Sequence, residues 1–152
     1  MIDINSRNKG VAGRLSNFQE RSFWFYGIFC VCPEGPIQAF KFDNPVEQQR
    51  ICLLSGRDAK KRGQERNEIW QSKQLLWWMG MEYPRHSREY QELLNRLYIS
   101  MLTLQSFQDD LLATGEEKLI HSIGESDPTQ TVLTELELCS RLEWSREFFR
   151  II

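Results

Sequence analysis

The chain has 152 residues, with 19 Lys and Arg against 21 Asp and Glu, for a formal net charge of −2. That length suits one domain with a sizeable core and crowds two, and 12% aromatic with 26% charged residues describes a folded chain rather than a disordered one. Near-neutrality excludes attachment to nucleic acid by bulk charge but leaves room for a local basic groove.

Residues 1–22 are polar and read as loop, with a short edge strand at 2–4. Phe23 to Cys32 is aromatic and β-branched and reads as one or two short strands turning at Gly27. Pro36 suits the first turn of a helix. Ile37 and Phe40 follow at helical spacing, and Glu34 stands at or just before the start. A second short helix runs from Val46 to Leu54, and the charged stretch Asp58 to Arg66 is helical in part. Asn67 to Gly80 predicts a longer helix, its apolar face formed by Ile69, Leu76 and Trp77 and widened by Trp70 and Leu75. After Pro84, Tyr90 to Met101 and Phe107 to Leu112 keep helical spacing, and Gly115 is a stop. Thr131 to Phe149 predicts a last helix. The expected fold class is mainly α with a small N-terminal β element, in one domain spanning 1–152.

No apolar run approaches the roughly 20 residues that cross a bilayer, and no apolar segment follows MIDINSRNKG as it does in a signal peptide. The expectation is a cytoplasmic protein without a membrane partner. Cys30, Cys32, Cys52 and Cys139 read as buried structural thiols of a reducing compartment. A zinc site wants four ligands at compatible spacing, and His86 and His121 sit in unrelated contexts. No metal or cofactor is expected.

GxGxxG, Walker, HExxH and GxSxG motifs are all missing, which weighs against dinucleotide-fold, P-loop, zincin and α/β-hydrolase chemistry. With two histidines, acid–base work would rest on carboxylates supported by Arg, Lys, Asn or Trp. Five segments occur in an order with a known parallel: Arg14-Leu15-Ser16-Asn17-Phe18, then Glu34-Gly35-Pro36-Ile37-Gln38-Ala39-Phe40-Lys41-Phe42, then Ser55-Gly56-Arg57-Asp58-Ala59-Lys60, then Trp70 with Lys73, then Leu111-Leu112-Ala113-Thr114-Gly115 with Lys118-Leu119. In combination they resemble the NADAR/YbiA-like N-glycosidases over roughly residues 14–120. Three departures stand out. Gly35 and Pro36 replace a histidine and an aromatic residue, His121 replaces an acidic residue, and residues 125–131 carry neither the Trp nor the Gly of that family's late loop.

The resemblance implies a YbiA-like multihelical fold and cofactor-free hydrolysis of a ribose C1′–N bond. The substrates it implies are a ribosyl phosphate of the riboflavin pathway, an ADP-ribosyl small molecule, or ADP-ribosylated guanine in nucleic acid. Cleavage of that bond builds positive charge at C1′ and the ring oxygen, which an ionised carboxylate stabilises while orienting or deprotonating water. Glu34 carries the family's glutamate and is the candidate catalytic group. Its place near a helix N-terminus favours the anion, which suits charge stabilisation better than proton donation. Asn17 is a candidate for ribose hydroxyls or a base edge, or else a turn cap. Arg14 and Arg57 are candidates for phosphate through the guanidinium fork, although Lys60, Lys61 and Arg62 beside Arg57 also fit a solvated face. Lys41, about two turns after Glu34, fits a phosphate contact or an ion pair orienting Glu34, and Lys73 is of the same type. Phe18 and Trp70, with Phe40 and Trp77, form either a stacking wall or core. Asp127 is a candidate to replace the missing acid of the late loop. His121 reads as structural or exposed rather than catalytic. The competing functions are a degenerate ADP-ribose or nucleotide binder and a protein-interaction domain that keeps only the fold. The oligomeric state is left open.

Overall fold

Capping side chains punctuate the chain into short helices. Asn44 accepts from the N–H groups of Val46 and Glu47, Ser55 from that of Asp58, and Ser87 from that of Tyr90. Thr134 and Glu137 form a reciprocal capping box. The computed structural model, which describes residues 1–152, accordingly contains helices α1 (Val11–Arg14), α2 (Glu34–Ala39), α3 (Pro45–Cys52), α4 (Gly56–Gln64), α5 (Asn67–Lys73), α6 (Arg88–Ile99), α7 (Gln105–Ala113) and α8 (Glu135–Ile151). Between them lie strands β1 (Ile2–Asp3), β2 (Phe23–Phe25), β3 (Ile28–Cys30), β4 (Leu75–Trp78), β5 (Met81–Pro84) and β6 (Leu119–Ile120). The strands make three separate pairs: β1 with β6 in parallel, and the hairpins β2–β3 and β4–β5. The fold is mainly α, multihelical, with a small N-terminal β element.

Two expected elements come out differently. The helix expected over 67–80 stops at Lys73, because Gln74 turns into the left-handed region at φ 50°. The chain then forms a hairpin whose turn, Met79-Gly80, has φ of 47° and 86°, the positive pair that a two-residue connection needs. Trp70 and Trp77 imitate a helical repeat, yet Trp77 lies on β4 and donates its N–H to Phe40 O (2.8 Å). The last helix starts at Glu135 rather than Thr131, because Thr134 caps it. Within the expected N-terminal loop, residues 11–14 form the short helix α1.

The core is aromatic around α2. Trp78 packs against Phe25 and Phe40 (centroids 5.1 and 5.4 Å apart), and Phe40 against Tyr90 (6.1 Å). Burying this much ring surface is the main source of stability. Its polar counterpart is Gln48, fully buried on α3. Its amide nitrogen lies 3.1, 2.8 and 2.9 Å from the carbonyls of Ala39, Phe42 and Trp77, and its Oε1 accepts from Met79 N (3.0 Å). One side chain thus ties the end of α2 and the segment after it to β4. All four cysteines are free and buried, and burial pushes the Cys32 thiol up to about 11. No helix is long and apolar enough to cross a membrane.

Replacing Gln48 with Leu takes this partner from Met79 N and from the Phe42 and Trp77 carbonyls in an apolar core, whereas Ala39 O keeps Phe42 N (3.0 Å). Each stranded group costs on the order of 1–3 kcal/mol, so urea denaturation should show a loss of about 3 kcal/mol or more.

Candidate active site

Glu34 opens α2, and its backbone N–H, which no helical partner can satisfy, donates to Asn17 O (3.1 Å). The same asparagine accepts the Tyr98 hydroxyl at Oδ1 (3.0 Å). Burial keeps that phenol protonated by raising its pKa. The Ser16-Asn17-Phe18 segment is also pressed against the start of α4. A Cβ at Gly56 would stand 2.7 Å from Phe18 Cα, so the close approach requires glycine there. The Ser16-Asn17-Phe18 segment thus joins the head of α2 and the start of α4 through backbone contacts and α6 through a side-chain hydrogen bond.

Glu34 is 8% exposed and forms no ion pair. Gln38, one turn on, donates Nε2 to Glu34 Oε1 (2.7 Å). Burial raises the Glu34 carboxyl above its ordinary value, opposed by the Gln38 hydrogen bond and then by the charges of Lys60, Lys41 and His121. Burial thus works against the anion that the helix end favours. Gln38 Oε1 is buried with no partner, so a half-turn of the amide would let it accept from a protonated Glu34. The amide fits because residue 63 is glycine, where a Cβ would lie 1.8 Å from Gln38 Oε1.

Lys41 is buried just beyond α2 and donates Nζ to Asn67 Oδ1 (2.7 Å), which also accepts Trp70 Nε1–H (3.3 Å). Burial lowers Lys41 to about 8 despite the nearby Glu34 charge. The expected contact ion pair with Glu34 is not formed; Asn67 holds the ammonium instead, and the carboxylate is felt at longer range.

The other candidates are placed as follows. Phe18 is half-buried under Lys60, whose Nζ lies 5.7 Å from the ring centroid. Arg57 is exposed and free of ion pairs. Arg14 is committed to Asp110 (2.8 Å), which also binds Arg21 (2.6 Å), so its role is to join α1 to α7. Trp70 is fully buried, as are Phe40 and, nearly, Trp77; no ring face remains for a ligand, and the stacking wall reduces to Phe18. Lys73 is exposed and lies 6.0 Å from the Trp77 ring. Asp127 is exposed and folds its own loop, accepting from Thr129 N and Oγ1 (2.9 and 2.8 Å). That loop is tied to the end of α5 by Gln74, which donates to Thr129 O (3.0 Å). Gln38, Lys60 and Tyr98 are the members of the cluster that sequence reasoning missed. Glu34 and Gln38 at i,i+4 were a visible signal; Tyr98 reads only as the apolar face of α6. A cavity of about 570 Å³ between α6 and α8 includes Tyr98 in its wall but not Glu34. No group of three or more His, Cys, Asp or Glu side chains is placed to hold a metal ion.

The sequence profile of the family described as Bacteriophage protein GP30.3 matches residues 9–147. The chain belongs to that family. Among GP30.3-type relatives, a protein of Enterobacteria phage T4 described as "Uncharacterized 17.1 kDa protein in Gp30-rIII intergenic region" is 31% identical over 148 residues, covering 96% of this chain and 97% of the relative. Among solved structures, the NMR structure of the E. coli protein YbiA superimposes with a TM-score of 0.63 at 20% identity, covering 97% of this chain and 82% of that one. This likeness establishes a shared fold between the GP30.3-family chain and YbiA.

Two outcomes follow from the burial of Glu34. Its folded-state pKa lies above its unfolded value, so the folded protein binds the extra proton and loses stability as pH rises from about 4.5 through the folded value. Glu34→Gln should therefore raise the melting temperature at pH 7, with the gain vanishing near pH 4. Gly63→Ala, ordinarily favourable within a helix by about 1 kcal/mol, should instead destabilise, because its methyl displaces the Gln38 amide from Glu34. Thermal denaturation of both variants checks these signs.

Proposed function

We propose that this chain is an N-glycosidase that hydrolyses the ribose C1′–N bond of an ADP-ribosylated guanine or a related ribosyl phosphate, with Glu34 as the catalytic carboxylate. The observation that carries this reading is the buried Glu34 at the head of α2, without an ion-pair partner, acted on by Lys60, Lys41 and His121. A carboxylate in such surroundings suits both halves of the reaction. Ionised, it faces the positive charge that grows at C1′ with little solvent between them. Its raised pKa makes it a better base toward the attacking water than an exposed glutamate. Lys60 and Arg57, exposed on α4 without ion pairs, are the cations assigned to phosphate oxygens, and Phe18, half-buried with Lys60 over its ring, is the ring assigned to a base. Fold kinship with YbiA supports the reading at the level of architecture.

Incubation with ADP-ribosylated guanosine, a short ADP-ribosylated DNA and the riboflavin-pathway ribosylamine phosphate should release the base or amine from at least one of them, measured by mass spectrometry. Glu34→Ala should lower kcat by about 10³-fold. Binding of ADP-ribose without release from any substrate would make the chain a binding module instead.

The pH profile carries a second expectation. Activity should rise as Glu34 ionises, above the ordinary carboxylate range, and fall as Lys41 loses its proton near 8. Lys41→Arg keeps the charge at every accessible pH and should remove the alkaline limb.

A further inference from the structure

We propose that the cavity between α6 and α8 is a binding site for a small organic anion, a planar ring carrying a phosphate or carboxylate group, with Arg141 as the residue that holds the charge. The site is independent of the glycosidase reading above. The cavity measures about 570 Å³, within the range of small-molecule sites. Its walls are one face of each helix. Gln91, Asn95 and Ile99 follow one another at intervals of four on α6, so they share a face, and α8 contributes Arg141 and Trp144. Arg141 is the one charged residue of the walls, which hold no acid.

Arg141 is a cation without a counter-ion. Its terminal nitrogens donate to neutral oxygens: Nη1 to Glu137 O (3.0 Å), and Nη2 to Gln91 O (3.2 Å) and Gln91 Oε1 (2.8 Å). Its Nε is buried with no partner. The Glu137 carboxylate belongs to the same network but is fully engaged. Oε1 accepts from Arg85 Nη2 (2.7 Å) and Thr134 N (2.8 Å), and Oε2 from Arg85 Nη1 (3.1 Å) and Gln91 Nε2 (2.7 Å). Two guanidinium groups thus stand against one carboxylate. Arg85, fully buried, forms the ion pair, and the group in the cavity wall is left unmatched. A partly desolvated charge without a partner is unfavourable, and an anion in the cavity supplies the missing one through charge-assisted hydrogen bonds. The ring requirement comes from the rest of the wall. Ile99 on α6 and Trp144 on α8 are each about half exposed. Trp144 stacks on Phe148 (centroids 6.0 Å apart, planes at 22°), which holds the indole in place while half of its surface stays open. Tyr98 donates its hydroxyl to Asn17 Oδ1 (3.0 Å) and gives the wall its ring. A flat ring packs well among such side chains, and exposed Asn95 offers an amide to a polar edge.

Isothermal titration calorimetry of the full chain tests this with two anions, adenosine monophosphate and indole-3-acetate, beside their uncharged counterparts adenosine and indole-3-acetamide. Each anion should bind about 10-fold or more tightly than its counterpart, and the tighter of the two identifies the acidic group as phosphate or carboxylate. Arg141→Met should weaken both anions by about 10-fold or more. That variant also loses the hydrogen bonds to α6, so Asn95→Asp is run beside it. It places a like charge in the wall from an exposed position and should weaken both anions by a similar factor. Thermal denaturation confirms that the variants fold. Trp144→Ala should weaken binding by about 5-fold or more. No binding of either anion at millimolar concentration, equal affinity for the uncharged counterparts, or affinities unmoved by Asn95→Asp overturns the proposal. So does a loss in Lys60→Ala as large as that in Arg141→Met, which would put the anion on α4 instead.

Discussion

A carboxylate held out of water without a cation in contact is the constraint around which the rest of the molecule is arranged. Ionised Glu34 is an unfavourable group to bury, and α2 is too short to hold it alone. The helix is clamped from two sides at glycines. At Gly35 a Cβ would meet Cys52 Cα at 3.0 Å, and at Gly63 it would overlap the Gln38 amide. These close approaches seat α2 between α3 and α4, and Gln48 locks the far end to β4. The glycine after Glu34 is thereby accounted for: a larger residue at 35 would push α3 away from α2.

Net charge conceals the electrostatics of this region. The whole chain carries −2, yet the three charges acting most strongly on Glu34 are all basic. They offset the desolvation of the carboxylate without cancelling it, because none makes a direct ion pair. Lys41 shows the same compromise from the other side: it is buried beside Asn67 and lowered to about 8. Two groups whose burial pushes each toward neutrality, one acid and one base, share a site. That is the arrangement in which small environmental changes move protons.

Much of this was legible in the sequence. The spacing Glu34 to Lys41, the Ser-Asn-Phe segment and the Ser-Gly-Arg segment identified the parts that converge, and Pro36 marked the helix that carries the carboxylate. The β4–β5 hairpin was not legible as a strand pair, because Leu75, Leu76, Trp77 and Trp78 are apolar on both faces. A continuous apolar run has no period to separate a buried strand from a helix. Positive φ at Gln74 and Met79, positions without the usual glycine, hid the turns. For Trp70 the sequence left stacking wall and core open; Asn67 and the core take up its nitrogen and its faces, which only the structure shows. The ion pair of Arg14 with Asp110 was not legible because the two are 96 residues apart.

The late loop sharpens the functional argument. Residues 125–131 order themselves: Glu125 accepts from Ser126 N and Asp127 N, Asp127 accepts from Thr129, and Gln74 and Arg85 hold the loop through carbonyls. None of these bonds delivers a side chain to Glu34. A chain that kept the fold only as a scaffold would gain stability by replacing the buried glutamate with glutamine, which keeps the Gln38 hydrogen bond and removes the desolvated charge. Glu34 is thus a feature that is costly to the fold, and that cost is the physical ground for the catalytic role proposed for it.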